Sequence, residues 1–212
     1  MTVVELDFGI SGSSLPADHG YPLFSALSES VPEIHEADWL GIHTLPGVRD
    51  GHGSITLPSS SKLRLRLPME KIPIVYPLAG KKICVGDYTL RLGIPQIRLL
   101  APAQTLWSRL VVLKLADSKG QTAEPESFLA GVQRQLEALS IAGKPSLEKA
   151  TQKPGLDAFA RRVLRIKGVT ITGYGIYVSG LSDEDSLKLQ IAGIGGRRRM
   201  GCGLFVPVGG QS

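Results

Sequence analysis

The chain has 212 residues, 42% of them hydrophobic and 20% charged, enough for one domain or two small ones, each with an apolar core of its own. Its two cysteines, Cys84 and Cys202, stand 118 positions apart and suit neither a zinc knuckle nor a disulfide framework. No uncharged run reaches the ~18 residues of a membrane helix and Met1-Thr-Val-Val-Glu-Leu-Asp lacks the basic start of a secretory signal, so the expected setting is cytoplasmic, with no membrane partner.

Net charge is +5, from 24 Lys/Arg against 19 Asp/Glu. Residues 1–160 are balanced at sixteen of each, while residues 161–199 hold eight basic side chains against three acidic ones, which is the whole excess. Basicity concentrated in this way is the footprint of a polyanion, nucleic acid above all.

In chain order, Thr2 to Ile10 alternates Val4, Leu6 and Phe8 with Glu5 and Asp7, as a half-buried strand does. Ser11 to Gly20 is turn-rich. Pro22 opens a helix whose apolar face is Leu23, Phe24, Leu27 and Val31, ended by Pro32. His35 sits in the loop that follows, and Trp39 to Leu45 reads as a strand. After a turn over Gly47 to Gly53, Ser54 to Leu57 can extend the pairing. Lys62-Leu-Arg-Leu-Arg-Leu67 alternates strictly, basic residues on one face and leucines on the other. Met69 to Gly80 holds a brief helix, cut short by Pro73 and Pro77. Lys82 to Val85, Tyr88 to Leu92 and Gln96 to Leu100 read as short strands, and Pro102 marks a boundary.

The second half repeats the order. Leu106 to Leu115 is a strand, Pro125 to Ser140 a helix with Phe128, Leu129, Val132, Leu136 and Leu139 on one face, and Gly143 to Gly155 a loop. Val163 to Lys167 and Val169 to Val178 are strands joined at Gly168. Ser182-Asp-Glu-Asp185 has the form of a capping box, with a helix to Ala192, although Leu187, Leu189 and Ile191 also alternate as in a strand. A glycine-rich loop and the strand Leu204 to Val208 follow. Both halves thus read strand, helix, strand, strand, helix, strand. The expected fold class is α+β, with tandem ferredoxin-like (RRM-like) domains over 1–103 and 104–212 and a C-terminal glycine-rich loop.

Five glycines bracket three consecutive arginines in Gly193-Ile-Gly-Gly-Arg-Arg-Arg-Met-Gly-Cys-Gly203. Glycines expose backbone amides, and with guanidinium groups among them the loop suits phosphates. It is not a Rossmann fingerprint, because Arg198 stands at the third glycine, nor a P-loop, because Cys202 and Gly203 replace Lys and Ser/Thr. No H-x-H, H-E-x-x-H or Cys/His cluster points to a metal, and no G-x-S-x-G supports a serine triad. Of the four histidines, His19 and His52 are expected on the surface, His43 lies in a strand, and His35 lies in a loop that can face a groove. Spacing alone favours a structural role for each. Chemistry on RNA without a metal stays open, because the 2′-hydroxyl supplies its own nucleophile.

The Gly193 to Gly203 loop, Arg165-Ile-Lys-Gly168 and His35 within Pro-Glu-Ile-His-Glu resemble the CRISPR-associated Cas-six endoribonucleases. Asp18-His-Gly-Tyr21, Gly41-Ile-His43 and Ser108-Arg-Leu-Val111 are similar to the compact subgroup labelled Myxan. The resemblance implies metal-independent, cofactor-free cleavage of CRISPR repeat RNA by 2′-hydroxyl attack, leaving 2′,3′-cyclic phosphate and 5′-hydroxyl ends. It also implies other subunits of a crRNA effector complex as partners. His35 matches the family's catalytic histidine, and His43 is the candidate second acid-base partner. Arg165, Lys167, Gly195, Gly196, Arg197, Arg198, Arg199 and Gly201 would hold RNA. No tyrosine lies one helical turn before His35, a departure from some relatives. The rival reading is a non-catalytic RNA-binding subunit.

Overall fold

The computed structural model describes residues 2–114, 124–150 and 158–209, which form two compact units. The first comprises Met1–Leu100 with Arg198–Gly201, and the second Ala101–Arg197 with Cys202–Ser212.

In the first unit the chain runs through β1 (Val3–Ser11), β2 (Ser14–Pro16), α1 (Gly20–Ser30), a 3-10 turn at Pro32–Glu36, β3 (Gly41–Ile42), β4 (Val48–Arg49), β5 (Ser54–Thr56) and β6 (Lys62–Pro68). Short helical turns over Met69–Leu78, among them α2 (Ile72–Val75), lead to β7 (Lys82–Val85) and β8 (Tyr88–Leu99). The main sheet has the order β3-β6-β1-β8-β7, each neighbouring pair antiparallel, which is the split β-α-β arrangement with one added edge strand. Val4, Leu6 and Phe8 of β1 pair with Leu67, Leu65 and Leu63 of β6, and all six are buried. Leu23, Phe24 and Leu27 of α1 are buried too, each such side chain contributing roughly 1.5–3 kcal/mol.

The second unit contains β9 (Thr105–Val111), α3 (Pro125–Ala138), β10 (Lys144–Leu147), β11 (Arg161–Ile166), β12 (Val169–Ser179), α4 (Asp183–Ala192) and β13 (Val206–Pro207). Its sheet order β10-β12-β9-β13 is again ferredoxin-like, with β11 extending β12 as a hairpin. Phe128, Val132 and Leu136 of α3 pack with Leu106, Val111, Tyr174, Ile176 and Val178, and Leu129 and Leu139 flank that core. The Ser182 hydroxyl caps α4 by accepting from the Asp185 amide at 3.1 Å, so the helical alternative holds over the strand.

Several elements differ from expectation. The strand read over Trp39–Leu45 shrinks to Gly41–Ile42, with His43 N bonded to Arg64 O. Two short strands after Tyr88 are one, because a bulge at Gly9 absorbs the register shift opposite Gly93 to Pro95. The loop read from Gly143 contains β10, whose Pro145 is tolerated because β10 sits on a sheet edge. The far part of that loop and Leu115 lie outside the described residues. Among the described residues no helix is long and apolar enough to cross a membrane.

Candidate active site

Val31 leaves α1 in an extended conformation, and Pro32 restarts the chain as the single 3-10 turn Pro32–Glu36, where a loop was expected. Ile34 plugs this turn into the core while His35 stays exposed. The His35 ring stacks on Phe24, centroids 5.8 Å apart and planes 28° off parallel. The guanidinium carbon of Arg199 lies 5.2 Å from the centroid of that same Phe24 ring. Its Nη1 donates to the backbone carbonyl of His35 and, at 3.4 Å, to that of Ile34. Phe24 is therefore a platform for both groups, and Arg199 fixes the turn that carries the imidazole. Arg199 has no carboxylate partner among the described residues, so its charge remains available to an anion.

The polar face of the main sheet in the first unit holds a second cluster. Register places Glu5 opposite Arg66 and Arg98, and Asp7 opposite Arg64. Glu5 accepts from Arg66 Nη2 at 2.6 Å and from Arg98 Nη2 at 2.6 Å, and Asp7 accepts from Arg64 Nε at 2.7 Å. Arg66 is only 1% exposed. Burial alone would raise the Glu5 pKa, but contact with His43 and the Arg66 guanidinium outweighs it and holds the carboxyl well below the usual carboxylate range.

His43 belongs to this cluster. Its Nε2 lies 3.3 Å from Glu5 Oε1, out of solvent and misaligned for a hydrogen bond. Burial pushes the imidazole pKa down to about 4, against the pull of Glu5 and with help from Arg66. A nitrogen enclosed against a carboxylate is poorly placed to exchange protons with a substrate, and the expectation of a second acid-base partner at His43 gives way to a structural one. His19 also departs from expectation. It is 3% exposed, its Nδ1 donates to Pro16 O at 2.8 Å, and its Nε2 accepts from Leu45 N at 2.9 Å. It ties the start of α1 to the chain after β3. His52 is exposed, as expected.

The glycine loop does not present a row of free amides. Gly195 N donates to Gln135 Oε1 at 2.8 Å, Gly196 N to Val112 O at 3.2 Å and Gly201 N to Arg198 O at 3.2 Å. The glycines are required by shape. Gly195 (φ +76°) would drive a Cβ into the Val112 carbonyl, and Gly201 (φ +80°) would place one against Thr44. The three arginines also separate. In the second unit, Arg197 is exposed in a left-handed conformation (φ +66°). In the first unit, Arg198 is half-buried, its pKa lowered by burial and then by Arg66, and Arg199 sits on Phe24.

In the hairpin β11–β12, Ile166 pairs with Val169, leaving Lys167 (φ +47°) and Gly168 (φ +84°) as a two-residue turn with both residues left-handed. Lys167 is thus exposed at a tip, with Arg165 two residues before it on the exposed strand β11. Arg162, by contrast, is held by Glu148 through two bonds of 2.7 and 2.8 Å, and Trp107 Nε1 donates to the same carboxylate.

Sequence reasoning missed Phe24 as a site residue and the Glu5 cluster altogether. The second had a signal, since acids alternating on Thr2–Ile10 and bases alternating on Lys62–Leu67 are what a paired register would match. Among the described residues no group of three or more His, Cys, Asp or Glu could hold a metal.

A family model described as Cas6 Crispr matches residues 4–210. The CRISPR-associated endonuclease Cas6 of Myxococcus xanthus (strain DK1622) is 38% identical over 209 residues, 99% of this chain and 83% of that protein. Among solved structures, one titled CRISPR associated protein Cas6 is similar with a TM-score of 0.64 at 16% identity, covering 98% of this chain and 99% of that one. A Cas6-related protein from Pyrococcus furiosus gives 0.67 at 14% identity, covering 99% and 100%. At such identities the structural likeness concerns the fold, which is the tandem ferredoxin-like one.

Proposed function

The chain belongs to the Cas6 family of CRISPR-associated endonucleases, and from that premise we propose that it cuts CRISPR repeat RNA without a metal, with His35 as the proton-transfer group. The 2′-hydroxyl gives up its proton and its oxygen bonds to the adjacent phosphorus. The bond from phosphorus to the 5′-oxygen then breaks, and that oxygen takes a proton. The products carry a 2′,3′-cyclic phosphate and a 5′-hydroxyl, and no outside nucleophile is consumed.

One observation carries the assignment: an exposed imidazole stacked on Phe24 beside the uncompensated guanidinium of Arg199. The imidazole moves protons, while the guanidinium offsets the charge that builds on the non-bridging oxygens. Arg197, Lys167 and Arg165 supply further phosphate contacts, and the glycines of the loop act by shaping it.

The test is His35→Ala, assayed for cutting and for binding on one repeat RNA. Cutting falls by ~10²- to 10⁴-fold while affinity stays, because an exposed ring need not contribute binding energy. An unchanged single-turnover rate would remove His35 from the chemistry and favour the non-catalytic binder.

A further inference from the structure

The polar face of β1 and its neighbours changes character along its length. Glu5 and Asp7 neutralise Arg66, Arg64 and Arg98, but the next positions of β1 on that face carry no acid. Gly9 stands opposite Lys62 and Ser11 opposite Arg91. Both cations are exposed and neither has a carboxylate partner among the described residues.

The bulge at Gly9 opens a cleft of about 430 Å³ at this place, lined by Gly9, Ser59, Ser60, Ser61, Lys62 and Arg91 among others, with no acidic side chain in the lining. Such a volume accommodates a nucleotide rather than a bare ion. The turn that brings the serines here is closed by Ser61 N donating to Pro58 O at 3.0 Å. Ser61 is 7% exposed, and its hydroxyl has no hydrogen-bond partner. A buried hydroxyl without a partner costs free energy unless something occupies the cleft. No residue of the lining belongs to the His35, Phe24 and Arg199 cluster.

We propose that this cleft is a second RNA subsite, holding one nucleotide of the repeat away from the bond that is cut. Lys62 and Arg91 meet its phosphate and the Ser61 hydroxyl meets its ribose. The assignment rests on the reading of the substrate as RNA. Serine hydroxyls facing a ribose also favour RNA over DNA, since the 2′-hydroxyl both donates and accepts.

Anisotropy titrations of repeat RNA across a salt series test this. The Lys62→Ala/Arg91→Ala variant, altered only at exposed positions, should bind more weakly, with a salt slope smaller by about 1.4, from about 0.7 per phosphate contact. Ser61→Ala removes a hydroxyl that stabilises nothing in the free protein, so it should fold normally and lose about three- to tenfold in RNA affinity. A wild-type protein that binds repeat RNA alongside variants of equal affinity and slope overturns the subsite alone. A wild-type protein that does not bind repeat RNA overturns the parent reading and the subsite with it. If AMP shifts the Ser61 and Lys62 amide resonances while the variants' RNA affinity is unchanged, the cleft belongs to a free nucleotide and the RNA assignment falls.

Discussion

Two clusters in the first unit contain arginines that look equally basic in the sequence, yet they have opposite fates. At the middle of β1, Arg66 and Arg98 meet Glu5, and Arg64 meets Asp7, so their charge is consumed in holding strands in register. Beside the Pro32–Glu36 turn, Arg199 meets an aromatic face and two carbonyl oxygens, partners that orient a guanidinium without cancelling it. Whether a carboxylate lies opposite an arginine decides whether it serves the fold or remains available to a polyanion.

Removing the acid from the first cluster should produce the larger effect. Glu5→Ala leaves Arg66 buried without its main counter-charge and should cost about 3–5 kcal/mol, read from denaturant unfolding. A loss under 1 kcal/mol would mean that the buried guanidinium is satisfied by its other contacts. Arg199→Ala should do the reverse, reducing single-turnover cutting by ~10²-fold while shifting the unfolding midpoint little. Equal losses in stability and rate would erase the distinction between the clusters.

Acid should separate them further. The His43 pKa, lowered in the folded state to about 4 from an ordinary value near 6.5, means that the unfolded chain takes up the proton first as pH falls. The stability from the neutral ring is complete above about pH 6.5 and declines to about pH 4, by on the order of 1–3 kcal/mol. Glu5, also lowered, adds a loss at still lower pH as its carboxylate is protonated. His43→Gln should flatten the decline between pH 6.5 and 4, measured by urea unfolding at fixed pH values, and an unaltered profile would place its cause elsewhere. The smallest effect belongs to Arg197→Ala, which should lower the salt slope of RNA binding by about 0.7 and leave stability untouched.

What the sequence reveals of this comparison follows from range. Alternation on β1 and β6 is local, and it located both strands and their leucine faces. The helix faces of α1 and α3 and the Ser182 cap were legible for the same reason. The strand β10 was hidden by Pro145, whose missing amide matters only away from an edge, and edges are a property of the sheet. His19 looked like a surface turn residue because the amide that buries it, that of Leu45, comes from 26 positions away. The division of Arg197, Arg198 and Arg199 among three environments could not be read from three identical letters. Arg199 reaches His35 across 164 residues, and only the folded chain shows that the stacked ring of Phe24 joins them.

The central claim is that an imidazole beside an uncompensated guanidinium cuts RNA with the substrate's own hydroxyl. Single-turnover cleavage of repeat RNA in excess EDTA, with the product ends identified, tests it most directly. The account predicts an undiminished rate and products ending in a 2′,3′-cyclic phosphate and a 5′-hydroxyl. Cleavage that stops in EDTA, or a 5′-phosphate on the downstream fragment, would contradict it.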